Sequence, residues 1–378
     1  MASRCSFQPP RWAMMLAGLA VCMAASAADP AATESTAALV ERLGLEESKA
    51  PVRERAGWQK PKNVLVWDVR PDLLDSLQEV APGVRLLAAK TPQEATQLAS
   101  SADAAIGFCT PEVLAAGRKI QWIQVYWAGV ERCVEIPAVR ERDILLTNMQ
   151  RVAGPVMAEH VLAMMFAFAR GLDFYIPERA AKRWTEELPA TSRMITLEGK
   201  TLLVVGLGGI GTEVARRANA LGLHVDAIRA SGREGPPYVR EVGLPSDMAR
   251  LAARADFIVN TTPLTPETRN LFNGEFFAQV KPGAYFFNVG RGQSVVQDAL
   301  VAALRSGRLA GAGLDVTDPE PLPADHPLWS IPNVIITPHV SARSDLGDAA
   351  RYALVRENLR RYVNGEKMLS VVDTRKGY

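Results

Sequence analysis

Short apolar runs alternate with helix-like stretches along most of this chain. Val64-Leu65-Val66-Trp67 ends at Asp68, and Pro71 opens a stretch with Leu73, Leu74 and Leu77 at helical spacing. The pattern repeats at Val84–Leu87, Ala104–Phe108, Ile120–Tyr126 and Ile144–Thr147, with Thr91-Pro92 and Thr110-Pro111 as helix starts. Buried strands alternating with helices predict a parallel sheet covered on both faces. Residues 155–170 predict a long helix. Its second half, VLAMMFAFA, is apolar all round and is therefore a buried spine, with its Met residues as core.

A second alternating series starts at Thr201. Strands are predicted at 201–205, 223–229, 256–260, 284–289, 309–314 and 333–336, and helices at 209–221, near 246–253, at 274–279 and at 294–305. A final amphipathic helix is predicted from about Asp345 to Val363, with Ser344 as N-cap and Gly365 as its stop. The fold class is α/β with doubly wound parallel sheets.

The N-terminus breaks the pattern. Arg4 and Arg11 precede and open an uncharged run, Trp12–Ala28, that ends in Ala25-Ser26-Ala27-Ala28. A basic start, an apolar middle and a small-residue end predict a cleaved secretory signal peptide over 1–28. The run is slightly short for a span and has no stop-transfer flank, so no stable membrane insertion is expected after cleavage. Residues 29–61 are read as an N-terminal extension or linker. It is rich in Ala, Glu and Arg, with a helical turn or two around Leu39, Leu43 and Leu45, available to pack on a neighbouring subunit.

The chain of 378 residues is 48% hydrophobic and 22% charged, which suits two globular domains. Lys+Arg 43 against Asp+Glu 41 gives no reason to propose nucleic acid as a partner. Four Cys exclude a disulfide-dense scaffold. Cys5 and Cys22 leave with the signal. Cys109 and Cys133 either pair in an oxidising compartment or stay as buried thiols. No Cys/His spacing suggests metal ligation.

The strongest local motif is Leu202-Leu-Val-Val-Gly206-Leu-Gly208-Gly209-Ile210-Gly211, which follows an apolar strand and opens a helix. Gly206 permits the tight turn, Gly208 the approach of a pyrophosphate, and Gly211 close helix–strand packing. The helix N-terminus faces the phosphates. In LHVDAIRASGR the second strand ends at Arg229, with Ser231 and Arg233 nearby, a set suited to an adenine face or a 2′-phosphate. This favours NADP(H) over NAD(H). Asp226 is the rival ribose acid, but it lies inside the strand.

Downstream motifs extend the picture. They are Thr147-Asn148 with Pro155-x-x-Ala158-Glu159-His160; Pro263-Leu-Thr-Pro-Glu-Thr268; Phe287-Asn-Val-Gly-Arg291-Gly; Gly313-Leu-Asp315-Val with Glu320-Pro321; and Asp325-His-Pro-Leu-Trp329 before Thr337-Pro-His339. In this order the chain from about residue 62 resembles the D-isomer-specific 2-hydroxyacid dehydrogenases, and within them the glyoxylate/hydroxypyruvate reductase branch. The resemblance implies a flavodoxin-like substrate domain split around an inserted Rossmann domain. The segments are 62–154 (substrate domain), 155–338 (NAD(P)-binding domain) and 339–378 (substrate domain again). It also implies a site in the cleft, a small 2-keto or 2-hydroxy acid substrate, and a homodimer.

By the same resemblance Arg291, Glu320 and His339 form the catalytic set. Their chemistry is coherent. A guanidinium contacts the carboxylate and polarises the carbonyl of a 2-keto acid, an imidazolium donates a proton to the oxygen, and a carboxylate orients that imidazole. Asp315 matches a residue that helps hold the nicotinamide amide. Thr262 and Pro263 match cofactor contacts, and Gly290 lets backbone approach.

Where many relatives have Ser-Ala-Gly-Val-Asp, this chain has Trp127-Ala128-Gly129-Val130-Glu131. The N–H groups around Ala128 and Gly129 remain suited to a carboxylate. Trp127 and Tyr126 either widen the entrance for a bulkier substrate or pack inward. The remaining histidines, His160, His224 and His326, read as structural.

The leading expectation is an NAD(P)-dependent 2-keto acid reductase working by direct hydride transfer, without a metal. The alternative is a nucleotide-binding sensor or corepressor-like protein of dehydrogenase fold; formate or phosphite oxidation has no supporting feature. The location is exported or periplasmic if the signal is used, and cytoplasmic if the start lies downstream.

Overall fold

The structure, a computed structural model, describes residues 35–67, 72–189 and 193–377. The expected signal peptide lies outside them. Strands β1 (Asn63–Trp67), β2 (Arg85–Ala89), β3 (Ala104–Ile106), β4 (Trp122–Gln124) and β5 (Leu145–Thr147) form one sheet in the order β2-β1-β3-β4-β5. Strands β6 (Thr201–Val205), β7 (His224–Ile228), β8 (Glu241–Gly243), β9 (Phe257–Asn260), β10 (Ala284–Asn288), β11 (Leu309–Leu314) and β12 (Val334–Ile336) form a second. Its order is β12-β11-β10-β9-β6-β7-β8. Neighbouring strands pair in parallel throughout. The winding reverses between β1 and β3 in one sheet and between β6 and β9 in the other, so crevices open at the carboxyl ends of those strands.

Burial on both faces explains the unbroken apolar runs. On β10 every residue is buried; Phe286 packs into one core and Phe287 into the core on the opposite face. Leu202 and Val204 of β6 share the core of Phe287, whereas Leu203 and Val205 share that of Phe286. The spine helix Gly154–Ala169 lies on the former side, with the Phe168 ring 5.3 Å from Tyr285 and 6.0 Å from Phe287. Among the described residues no helix is long and apolar enough to cross a membrane.

The extension before residue 62 is more than a linker. Ser35 caps the helix Thr36–Leu43 by accepting a hydrogen bond from Ala38 N at 3.2 Å. Leu39, Leu43, Leu45 and Val52 are buried with Leu354, Leu359 and Tyr362 of the C-terminal helix Asp345–Asn364. Ser48 N donates to Met368 O at 2.7 Å, and Arg361 pairs with Glu47 at 2.6 Å. The apolar spacing that suggested a neighbouring subunit serves the chain's own core.

Four further elements carry no clear periodicity. They are the edge strand β8, the helix Leu172–Ala180 with Pro177 inside it, and the short helices Glu131–Val134 and Pro137–Glu141. Pro inside a helical window, and helices of barely a turn, defeat a periodicity argument.

Candidate active site

The glycine motif forms an open cradle. Gly206 directly follows β6 at φ 101°, where other residues are strained, and its carbonyl accepts from Thr261 Oγ1 at 2.6 Å. Gly208 starts the helix Gly209–Ala220 without a side-chain cap, so first-turn N–H groups are left for a ligand. A Cβ on Gly208 would meet only open space, whereas one on Gly211 would run into the Gly206 carbonyl. Ile210 packs on the adjoining core. The cradle fits a dinucleotide pyrophosphate.

At the end of β7, Arg229 donates to Ser231 Oγ at 2.8 Å and to the Glu234 carbonyl at 3.1 Å. Arg233, expected to assist, is paired with Asp247 at 2.8 Å. Asp226 is fully buried and accepts from Arg240 at 2.9 and 2.7 Å and from Arg254 Nε at 2.9 Å. Its carboxylate is committed to these guanidinium groups. Thr262 and Pro263 follow β9, and a Cβ on Gly290 would press on the Thr262 carbonyl.

Arg291 follows β10 and is held from below by buried amides. Asn260 Nδ2 donates to Asn288 Oδ1 at 2.9 Å and to Ser294 Oγ at 2.7 Å. The Arg291 carbonyl in turn accepts from Asn288 Nδ2 at 3.0 Å and Ser294 Oγ at 2.6 Å. Arg291 Nη1 donates to its neighbour's carbonyl, Gly290 O, at 2.7 Å. Arg291 Nε lies 3.0 Å from Glu131 Oε1, on the first residue of the helix Glu131–Val134 that follows β4 of the other sheet.

His339 Nδ1 lies 2.9 Å from Glu320 Oε2, and both side chains are half-exposed. An Nδ1–H donating to the carboxylate fixes the ring and leaves Nε2 for chemistry. His339 has φ 53°. Its N–H donates to Asp315 O at 2.8 Å. The buried Asp315 carboxylate accepts from Val340 N at 2.9 Å, Ser341 N at 3.0 Å and Thr337 Oγ1 at 2.6 Å. Burial alone would push this carboxyl up, but those hydrogen bonds hold it below its ordinary value. Asp315 thereby braces the His339 loop. His160 Nε2, read as structural, lies 3.0 Å from Thr337 Oγ1 and so belongs to the same brace.

The segment Trp127–Val130 joins β4 to the helix Glu131–Val134. Asn148 Nδ2 donates to the Ala128 carbonyl at 2.6 Å, and Met149 N to the Trp127 carbonyl at 3.1 Å. A Cβ on Gly129 would meet the Arg291 guanidinium, so the glycine brings the loop backbone directly against that group. The two aromatic rings differ. Tyr126 packs inward against Tyr352 and donates to the Trp67 carbonyl at 3.3 Å, whereas Trp127 is 40% exposed. Cys109 and Cys133 form a disulfide with Cα atoms 5.6 Å apart, fastening the chain after β3 to the helix after the loop.

Sequence reasoning left out Asn260 and Ser294, quoted Asn148, Asn288 and His160 within motifs without a role in the site, and gave Glu131 no role. One signal was available: Asn260 and Asn288 each end an apolar strand run, and a buried amide must find partners.

Comparisons with known proteins agree with this geometry. Residues 162–341 match the family model for the D-isomer specific 2-hydroxyacid dehydrogenase, NAD binding domain. The human glyoxylate reductase/hydroxypyruvate reductase is 34% identical over 262 residues, 68% of this chain and 78% of that protein. A D-isomer specific 2-hydroxyacid dehydrogenase family protein from Aeromonas salmonicida superposes with a TM-score of 0.72 at 33% identity, covering 83% of this chain and 99% of that one. The NADPH-dependent glyoxylate/hydroxypyruvate reductase of Sinorhizobium meliloti, solved with NADP and sulfate, gives 0.71 at 27% identity over 84% and 100%. The two doubly wound sheets, the glycine cradle and these relatives agree: the chain belongs to the D-isomer specific 2-hydroxyacid dehydrogenase family.

Proposed function

We propose that the protein reduces a small 2-keto acid to the D-2-hydroxy acid, or runs the reverse reaction, in the cleft between the two sheets. The observation that carries this is the meeting of Arg291 with the Gly129 loop and Glu131 of the other sheet, while Gly292, the next residue, packs against Thr317, whose N–H donates to the Glu320 carboxylate that orients His339. A nicotinamide dinucleotide held at the cradle of Gly206, Gly208 and Gly211 would supply or accept the hydride at the carbonyl carbon. Arg291 and the N–H groups around Ala128 and Gly129 hold the substrate carboxylate. Arg291 also polarises the carbonyl. His339 gives its proton to the carbonyl oxygen as charge develops there, and takes it back in the reverse direction. Glu320 keeps the ring oriented.

NADP(H) is the cofactor this reading favours, because Arg229 and Ser231 stand together where a 2′-phosphate would lie and Asp226 is buried under two arginines. The leader-like run and the Cys109–Cys133 disulfide support an exported, oxidising location. The exposed Phe166, Leu172, Ile176, Trp184 and Met194 cluster in sequence around the spine helix and the segment after it, and support a homodimer through that surface. Following nicotinamide absorbance with glyoxylate or hydroxypyruvate, first with NADPH and then NADH, tests the reaction. NADPH is expected to be the better donor, and Arg229→Ala to erase about tenfold of that preference. Equal use of both cofactors by the wild type would reject the assignment of Arg229.

A further inference from the structure

Glu131 opens the helix Glu131–Val134 directly after the Gly129 loop. Its carboxylate reaches across the cleft. Oε1 lies 3.0 Å from Arg291 Nε, and Oε2 accepts from Arg291 Nη2 at 3.5 Å. Two adjacent donors of the guanidinium therefore face one carboxylate, the arrangement a substrate carboxylate would itself seek. The pair is mostly shielded, with side-chain exposures of 28% and 19%. Gly129 brings the loop backbone against the same guanidinium. Arg291 Nη1 already donates to Gly290 O, so Glu131 occupies much of what remains.

We propose that Glu131 is a specificity-determining residue: in the unliganded enzyme its carboxylate occupies Arg291 as an internal anion, and the incoming substrate carboxylate must displace it. The inference rests on the keto acid reading above. It has two consequences. Removing the charge frees Arg291, so a 2-keto acid binds more tightly. When displaced, the Glu131 carboxylate stays beside the bound substrate and repels a second acidic group, so monocarboxylic 2-keto acids are preferred over dicarboxylic ones.

The test uses the full chain, with NADPH bound, and oxalate as the probe. Calorimetry measures oxalate affinity in the wild type, Glu131→Gln and Glu131→Asp. Glu131→Gln is expected to bind oxalate about three- to tenfold more tightly. Glu131→Asp, which keeps the charge but withdraws it, should move the same way by less and stands in should the Gln variant not fold. In steady state, KM for glyoxylate should fall in Glu131→Gln with kcat within about twofold, and the preference for glyoxylate over oxaloacetate should narrow. Unchanged or weaker oxalate binding in both variants would overturn the proposal, since a residue that merely positions Arg291 gives loss rather than gain. If the wild type turns over no keto acid, the reaction reading fails, while the oxalate affinities still decide whether Glu131 competes for Arg291.

Discussion

His339 stands at φ 53°, a backbone region that costs a non-glycine residue roughly 1–3 kcal/mol. What holds it there is Asp315, whose backbone and side-chain oxygens take up the N–H groups of His339, Val340 and Ser341 and the hydroxyl of Thr337. Replacing Asp315 by Asn puts an amide N–H where a donor already points. Each buried donor left without an acceptor costs about 1–3 kcal/mol. Asp315→Asn is therefore expected to lower the urea midpoint and to reduce kcat more than it weakens NADPH binding, since the imidazole loses its support. Wild-type stability and kcat in this variant would show that the brace is dispensable. The catalytic candidates were legible because each lies in a motif of fixed order. The brace was not, because Thr337–Asp315–His160 comes together only when the spine helix is laid beside the second sheet.

At the scale of elements, the strand runs of the parallel sheets were readable because burial on both faces leaves few polar positions in them. The edge strand β8 was not. It is three residues long, and it is tied down by charge rather than by apolar alternation. Glu241 at its start accepts from Arg250 at 2.5 Å and from Arg254 at 2.6 Å. Those hydrogen bonds, Arg250 first, hold its carboxyl down at about 2 against an ordinary 4.5. A carboxyl depressed in the folded state stabilises the fold fully above its unfolded value, and that contribution disappears as pH falls through the folded one. Stability measured by urea should therefore decline between about pH 5 and pH 2, and Glu241→Gln should flatten part of that decline. An identical pH dependence in wild type and variant would remove Glu241 from the account. The helix Leu172–Ala180 was hidden by Pro177, which interrupts a helical window, and by apolar residues that stay exposed.

The whole molecule is two doubly wound sheets whose carboxyl-end crevices share one cleft. The nucleotide sheet contributes Arg291, Glu320 and His339, and the other sheet contributes the loop around Gly129 with Glu131. Two domains and a dinucleotide crevice followed from the periodicity and the glycine motif. The packing of residues 36–52 onto the C-terminal helix did not, because those segments are some three hundred residues apart in the chain and only the fold makes them neighbours. The disulfide was likewise open, since no spacing rule fixes the distance between Cys109 and Cys133. The central claim is that this cleft transfers a proton through His339 to a keto acid held by Arg291. The most direct measurement is kcat for glyoxylate or hydroxypyruvate in the wild type, His339→Ala and Arg291→Ala, with NADPH affinity measured alongside. His339→Ala is expected to lose about 10²–10⁴-fold in kcat and Arg291→Ala to show a large rise in KM, with nucleotide binding unchanged in both. Turnover that survives in both variants, or a wild type that binds NADPH tightly and reduces no keto acid, would contradict that claim.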